Sequence, residues 1–294
     1  MDKNINSVEE NTDKLNYKVF FVKRQGVTRD PNMPPVPDNL KWVVNTATLI
    51  YGKQDAVLID TFMTIDQSQS LIESIVGTGK NLKYIYITHG HGDHFFGLQL
   101  LLDRFPNAKA FSTRAVVNDS IAQASPQIME SFWKKFFPAQ IPDRIAVPEV
   151  MEGNTFELEG HTIQVIETGF TDTHNSTSIY VPSIGLLIAG DVVYNGIHPY
   201  LAETTRKTRQ EWIAALDKLQ ALHPNAVVAG HKNPDNADHP DNIAATKKYL
   251  QDFEQMNNES SSATEVFDRM FALYPERANP GSLWGAATIG RQNM

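Results

Sequence analysis

The chain has 294 residues, of which 41% are hydrophobic and 20% charged, enough to bury a substantial core and too apolar for a mainly disordered chain. Its formal net charge is -8 and Lys and Arg never run longer than a pair, which excludes a nucleic-acid backbone as partner on grounds of repulsion. It has 0 cysteines, so disulfides and thiolate ligands are excluded and a transition-metal site must be built from His and carboxylate.

Residues 1–16 are polar and mixed in charge and read as a flexible N-terminal arm, with 17–294 a single domain. The start lacks the apolar core of a signal peptide, and no later stretch is apolar for long enough to cross a bilayer. A cytoplasmic protein without a membrane partner is therefore expected, or a periplasmic or secreted one if a signal peptide has been removed. Tyr17 to Val22 reads as a strand and the Pro-rich stretch Pro31 to Pro37 as loop. The β-branched run Trp42 to Ile50, a turn at Gly52 and Ala56 to Asp60 predict a hairpin. Asp66 to Val76 has helical apolar spacing and opens on an acidic residue. Tyr84 to Ile87 is a short buried strand, Thr88 to Gly97 a loop, and Leu98 to Phe105 a helix.

Ala108 to Ser112 predicts another strand, followed by helices at Arg114 to Ala124 and Gln127 to Phe137, separated at Pro126. The second is rich in bulky aromatics, read first as core packing and second as a wall facing substrate. From Ile145 to Ile188 the pattern changes to short strands, including Thr162 to Glu167, Ser178 to Val181 and Leu186 to Ala189. Arg209 to Leu222 is an amphipathic helix, Ala226 to Ala229 a buried strand, and Asp241 to Met256 and Ala263 to Tyr274 two further helices. Two strand-rich halves flanked by helices suit a four-layer α/β sandwich.

The chemistry concentrates in Thr88-His89-Gly90-His91-Gly92-Asp93-His94. His89, His91, Asp93 and His94 fall within six residues, and the intervening glycines let a tight loop turn several side chains toward one point. Neutral imidazole and carboxylate are the donors that zinc, iron or manganese accept. Such a loop rarely closes a site alone. Downstream, Asp191 follows an apolar strand through Gly190, His231 follows another through Gly230, and His174 lies in the turn before Ser178. Tyr194, His198 and Tyr200 come soon after Asp191 and are candidates to line a substrate pocket. His161, His223 and His239 read as turn and loop residues.

These features resemble the metallo-β-lactamase superfamily. The His-x-His-x-Asp-His stretch at 89 to 94 carries the resemblance, with the Gly190-Asp191 and Gly230-His231 pairs and Leu58-Ile59-Asp60-Thr61 upstream. The resemblance implies an αββα sandwich with the metals at one edge. It implies that His89 and His91 hold one metal, that Asp93, His94 and His231 hold a second, and that Asp191 bridges them. Asp60 then supports the ligand loop by hydrogen bonds. One position departs from the family pattern. Where a Gly-His-Thr stretch usually adds a His to the first metal, this chain reads Gly169-Phe170-Thr171-Asp172-Thr173-His174, and Phe170 cannot ligate. Three readings stay open: His174 takes over, Asp172 does, or the first metal has only His89, His91 and Asp191. His174 is the favoured one.

The expected function is metal-dependent hydrolysis at a centre of one or two zinc ions, with iron or manganese as alternatives, and Asp93 and Asp191 as proton acceptors beside the activated water. The expected substrate is a small ester, lactone or lactam, since Phe132 to Phe137 and Trp284 suggest an apolar pocket wall. The rival from another class is a metal-binding or ligand-binding protein of the same fold, its catalysis weakened by Phe170. Redox chemistry at iron is a third reading, for which the chain offers no flavin or persulfide partner domain.

Overall fold

A computed structural model describes residues 14–27 and 30–291. The chain first forms β1 (Asn16–Gln25), which runs antiparallel along the whole of β2 (Trp42–Tyr51). Most of the expected arm, residues 1–13, lies outside the described residues, while Leu15 is buried and Asn16 already pairs with Tyr51. β2 turns at Gly52 into β3 (Asp55–Ile59), the expected hairpin. Helix α1 (Ile65–Val76) follows, its N-terminus closed by a reciprocal capping pair of Thr64 and Gln67. Then come β4 (Asn81–Tyr86), a single turn α2 (Gly92–Phe95) within the segment expected to be loop, α3 (Leu98–Arg104), β5 (Lys109–Ser112) and α4 (Arg114–Gln123).

The expected helix from Gln127 to Phe137 is interrupted. It forms α5 (Pro126–Ile128), a π-helical turn over Met129–Trp133 and α6 (Lys134–Phe136). Met129, Trp133 and Phe137, spaced by four, are all buried, and the wider turn keeps these bulky side chains in one line where a regular α-helix would rotate them off it. The second half holds β6 (Glu149–Val150), β7 (Thr155–Leu158), β8 (His161–Gly169), β9 (Ser176–Val181), β10 (Leu186–Asn195) and β11 (Ala226–Lys232). Helices α7 (Arg206–Gln220), α8 (Asp241–Glu259) and α9 (Ala263–Leu273) pack on it. The chain then makes α10 (Pro280–Gly285) and a π-helical turn over Ala286–Gly290, neither expected from sequence. Among the described residues no helix is long and apolar enough to cross a membrane.

Hydrogen bonding links the strands in the order β6-β5-β4-β3-β2-β11-β10-β9-β8-β7. Alternation of side chains along each strand sorts the core into three layers of contact. Leu49 and Leu58 face α1 and α3, whereas their neighbours Ile50 and Val57 face inward. Leu187 and Val227 face α7, α8 and α9, whereas Ile188 and Val228 face inward to meet Ile50 and Val57. Helices, sheet, sheet and helices therefore stack as the four-layer αββα sandwich.

The topology also sets direction. β3 is parallel to β4 and β10 to β11, while β3 and β11 are both antiparallel to β2. β9 is antiparallel to both β8 and β10. It follows that β3, β4, β8, β10 and β11 point the same way, and residues just past or late in them gather at one edge. The close approach there requires glycine. Gly190 has φ 56° and a Cβ on it would lie 2.8 Å from Thr88 Oγ1; one on Gly230 would lie 2.0 Å from Asp191 Oδ1. Gly190→Ala is expected to lower stability by roughly 1–3 kcal/mol through the positive φ and this contact, read as a lower urea midpoint at unchanged slope.

Candidate metal centre

Asp60 ends β3 with φ 60°, a conformation few residues other than glycine adopt. Its carboxylate accepts from the Thr88 backbone N–H at 2.8 Å and from the Thr88 hydroxyl at 2.8 Å, and lies 3.1 Å from His94 Nδ1. Because the Thr88 hydroxyl donates to Asp60, its oxygen is left to accept from His89 Nδ1, 3.0 Å away. One carboxylate thus selects the ring proton of two histidines, directly for His94 and through Thr88 for His89. His231 Nδ1 donates to the Val44 carbonyl at 3.0 Å. All three rings accordingly turn Nε2 inward. His91 is reversed: its Nδ1 lies 2.9 Å from Asp172 Oδ2 and its Nε2 lies 3.2 Å from Glu203 Oε1.

Two groups of donor atoms result, one from His89, His91, Asp172 and Asp191 and one from Asp93, His94 and His231, each with all its atoms within 4.8 Å of one another. Asp191 joins them, with Oδ1 3.2 Å from His94 Nε2 and Oδ2 3.1 Å from His231 Nε2. The Tyr194 hydroxyl donates to Asp191 Oδ2 at 2.8 Å, and Asn45 Nδ2 donates to Asp93 Oδ2 at 2.9 Å.

His174 does not join either group, which corrects the favoured reading. Its ring is exposed and packs edge to face on Phe170 with centroids 4.5 Å apart, while buried Asp172, two residues earlier, turns into the cluster. The Thr171 backbone N–H bonds to the Thr173 carbonyl, and the Thr171 hydroxyl bonds to both Asp172 Oδ1 and Ser176 Oγ, so the tight turn directs Asp172 inward. His198 is also corrected as a pocket residue: it is fully buried, with Nδ1 2.9 Å from the Tyr249 hydroxyl. Tyr194 is buried and donates to Asp191, and it does not line the cavity that opens onto the cluster. Tyr200 does face the site, its ring centroid 5.8 Å from that of His91. Among residues without a sequence signal, Glu203 bonds His91 and accepts from the Thr173 hydroxyl at 2.8 Å, and Asn45 braces Asp93.

The electrostatics suit a cation. Burial opposes ionisation of Asp191, yet His231 and His94 hold its carboxyl well below the usual range, and Asp93 is lowered against the same burial by His94 and His231. Burial, together with neighbouring His94, pushes His89 down to about 4, so it presents a neutral lone pair. His91 and His94 are raised because Asp172 and Asp191, respectively, outweigh the burial that opposes their charge. Among the described residues the ion-pair partners of Asp93, Asp172 and Asp191 are all imidazoles. His89 Nε2 is buried and makes no hydrogen bond, while Asp172 Oδ2 and Asp191 Oδ1 are met only by the imidazole nitrogens of His91 and His94. A buried polar atom costs about 1–3 kcal/mol if left unsatisfied, and this convergent set of nitrogen and carboxylate donors fits one or two divalent cations. A cavity of about 350 Å³ opens onto the cluster, lined by His91, Asp93, Asp191 and His231 together with Ile128, Phe132, Trp133 and Tyr200.

The sequence matches the family model described as Metallo-beta-lactamase superfamily over residues 40–231, and the chain belongs to that family. It is 27% identical over 179 residues to the Atrochrysone carboxyl ACP thioesterase of Aspergillus fumigatus, covering 60% of this chain and 35% of that protein. It is 25% identical over 159 residues to Hydroxyacylglutathione hydrolase 1 of Vibrio vulnificus, covering 54% of this chain and 49% of that one. The chain therefore spans less than half the length of these two curated relatives. Among solved structures it shares the fold of a metallo-beta-lactamase family protein from Thermus thermophilus, at 20% identity and a TM-score of 0.60, covering 92% of this chain and 91% of that one. A Beta-lactamase domain protein from Burkholderia ambifaria gives 17% identity and a TM-score of 0.62, with 94% and 85% covered.

Asp60→Asn keeps the size of the side chain but removes an acceptor from Thr88 or His94. Metal affinity is expected to fall about 10–100-fold, measured by competition with a chromogenic chelator, with the circular-dichroism spectrum unchanged.

Proposed function

We propose that this chain is a metal-dependent hydrolase whose centre holds zinc, one ion at His89, His91, Asp172 and Asp191 and a second at Asp93, His94, His231 and Asp191. The carrying observation is that the two donor groups share Asp191 and open onto one cavity. Bound zinc would supply a Lewis acid and hydroxide at neutral pH. The chain's own residues do the remainder. Asp93 and Asp191 line the cavity and take up the proton released on attack. Tyr194 orients Asp191, Asn45 orients Asp93, and Glu203 holds the His91 ring from the side away from Asp172.

The substrate class is a small molecule with an acyl bond: an ester, lactone or lactam. The names of the two curated relatives, a thioesterase and a hydroxyacylglutathione hydrolase, add thioesters to that set. The aromatic side of the cavity, Phe132 and Trp133, suits an apolar substituent next to that bond. The rival, a binding protein with weakened catalysis, depended on the ligand lost at Phe170, and Asp172 offers a donor in its place.

Elemental analysis of the purified protein is expected to give two equivalents of metal, and chelation is expected to abolish acyl hydrolysis. Asp172→Ala should retain about one equivalent and His174→Ala both. Full turnover by demonstrably metal-free protein, or loss of metal in His174→Ala with retention in Asp172→Ala, would sink this assignment.

A further inference from the structure

A second cavity of about 360 Å³ lies against the first, and the two share Arg24, Val43, Tyr200, Asn279 and Ser282 in their walls. The rest of its lining is mostly apolar, with Val27, Met33, Phe137, Trp284 and Ile289 beside Asp30 and Thr288. The wall is well fastened. Trp284 Nε1 donates to Asp30 Oδ2 at 2.8 Å, Asn279 Nδ2 donates to Ser282 Oγ at 2.8 Å, and the Arg24 guanidinium lies 5.1 Å from the centre of the Phe137 ring. The Trp284 bond ties Asp30, just beyond β1, to α10.

Most of this wall comes from residues 24–27, 30–33 and 279–289, outside the stretch 40–231 that the family model covers. The metal donors, by contrast, all lie within that stretch. A centre whose donors lie within the family stretch thus adjoins a chamber walled largely by residues outside it. Because both cavities are lined by Tyr200, a substrate with its reactive bond at the metal donors could lay an extended apolar group beside Tyr200 toward the second.

We propose that the second cavity receives the acyl arm of the substrate, so that this chain prefers esters or thioesters of medium-length straight-chain acids over acetyl esters. The inference rests on the hydrolytic reading of the first cavity. It is tested on the metal-loaded full-length protein by calorimetric binding of straight-chain carboxylates from butanoate to decanoate, alongside hydrolysis of nitrophenyl esters from acetyl to decanoyl. Kd should fall by about fourfold per added methylene until the chamber is filled, and kcat/KM should rise in parallel. Met33→Trp fills the chamber. Ile289→Asp puts a charge into the lining at a residue that is 54% exposed. Each should weaken decanoate by about tenfold, the equivalent of roughly two methylenes, and leave butanoate binding and acetyl-ester hydrolysis within about twofold. A Kd that does not vary with chain length, or an equal loss for butanoate and decanoate in both variants, overturns the acyl-arm subsite. If no ester is cleaved while carboxylate binding keeps its chain-length dependence and its sensitivity to both variants, the hydrolytic reading fails and the apolar chamber stands.

Discussion

The carboxylate of Asp60 is the constraint on which the rest of the centre depends. It sits at the end of β3 in a left-handed backbone conformation that costs roughly 1–3 kcal/mol, and it is held there by hydrogen bonds from the Thr88 N–H and hydroxyl. Hydrogen bonds to a charged group contribute about 1.5–3 kcal/mol each, enough to offset the strain. What this achieves is chemical. With its hydroxyl proton committed to Asp60, Thr88 accepts from His89, and Asp60 takes the Nδ1 proton of His94 directly. Two imidazoles are thereby fixed in the tautomer and rotation that leave Nε2 free, before any cation arrives. Without Asp60 the same loop would carry the same histidines with no preference for which nitrogen faces the centre.

Strand direction converts that local arrangement into a site. β3, β4, β8, β10 and β11 run the same way and bring Asp60, the 88–94 loop, Asp172, Asp191 and His231 to one edge. Gly190 and Gly230 permit backbones to approach Thr88 and Asp191 at distances no side chain allows. The cost is a concentration of carboxylates, buried Asp172 and Asp191 and half-buried Asp93, whose ion-pair partners among the described residues are all imidazoles. Such a cluster is strained by its own charge and by the unsatisfied His89 Nε2, and binding a divalent cation relieves both, which couples metal affinity to stability.

Around this centre the chain divides its labour. The family-wide stretch supplies the donors, and the aromatic turn at Met129–Trp133 together with the two ends of the chain supplies the walls. Donors and cavity walls are thereby carried in large part by different segments, an arrangement through which one fold can serve many substrates. Tyr200, which lines both cavities and packs near His91, stands between them.

How much of this was legible in the sequence follows from how local each feature is. The four donors at 89 to 94 are contiguous, and Asp191 and His231 announce themselves as a ligand after an apolar strand and a glycine, so both donor groups could be anticipated apart from one member. The alternating apolar runs likewise implied the layered sandwich, because strand periodicity is a property of adjacent residues. Asp172 and His174 show where that stops. Both have donor chemistry and stand two residues apart, and only the turn closed by Thr171 and Ser176 decides that the carboxylate enters and the imidazole leaves. His198 and Tyr200, equally close in sequence, part in the same manner, one into the core beside Tyr249 and one into the cavity. Glu203 meets His91 across 112 residues, and Trp284 and Asp30, which line the second cavity, bond across 254 residues. The sequence by itself determined which residues could ligate and where the strands lie, since these depend on side-chain chemistry and local periodicity. Only the tertiary structure decided which side chains face one another, because direction within a turn and contact between distant segments are set by packing.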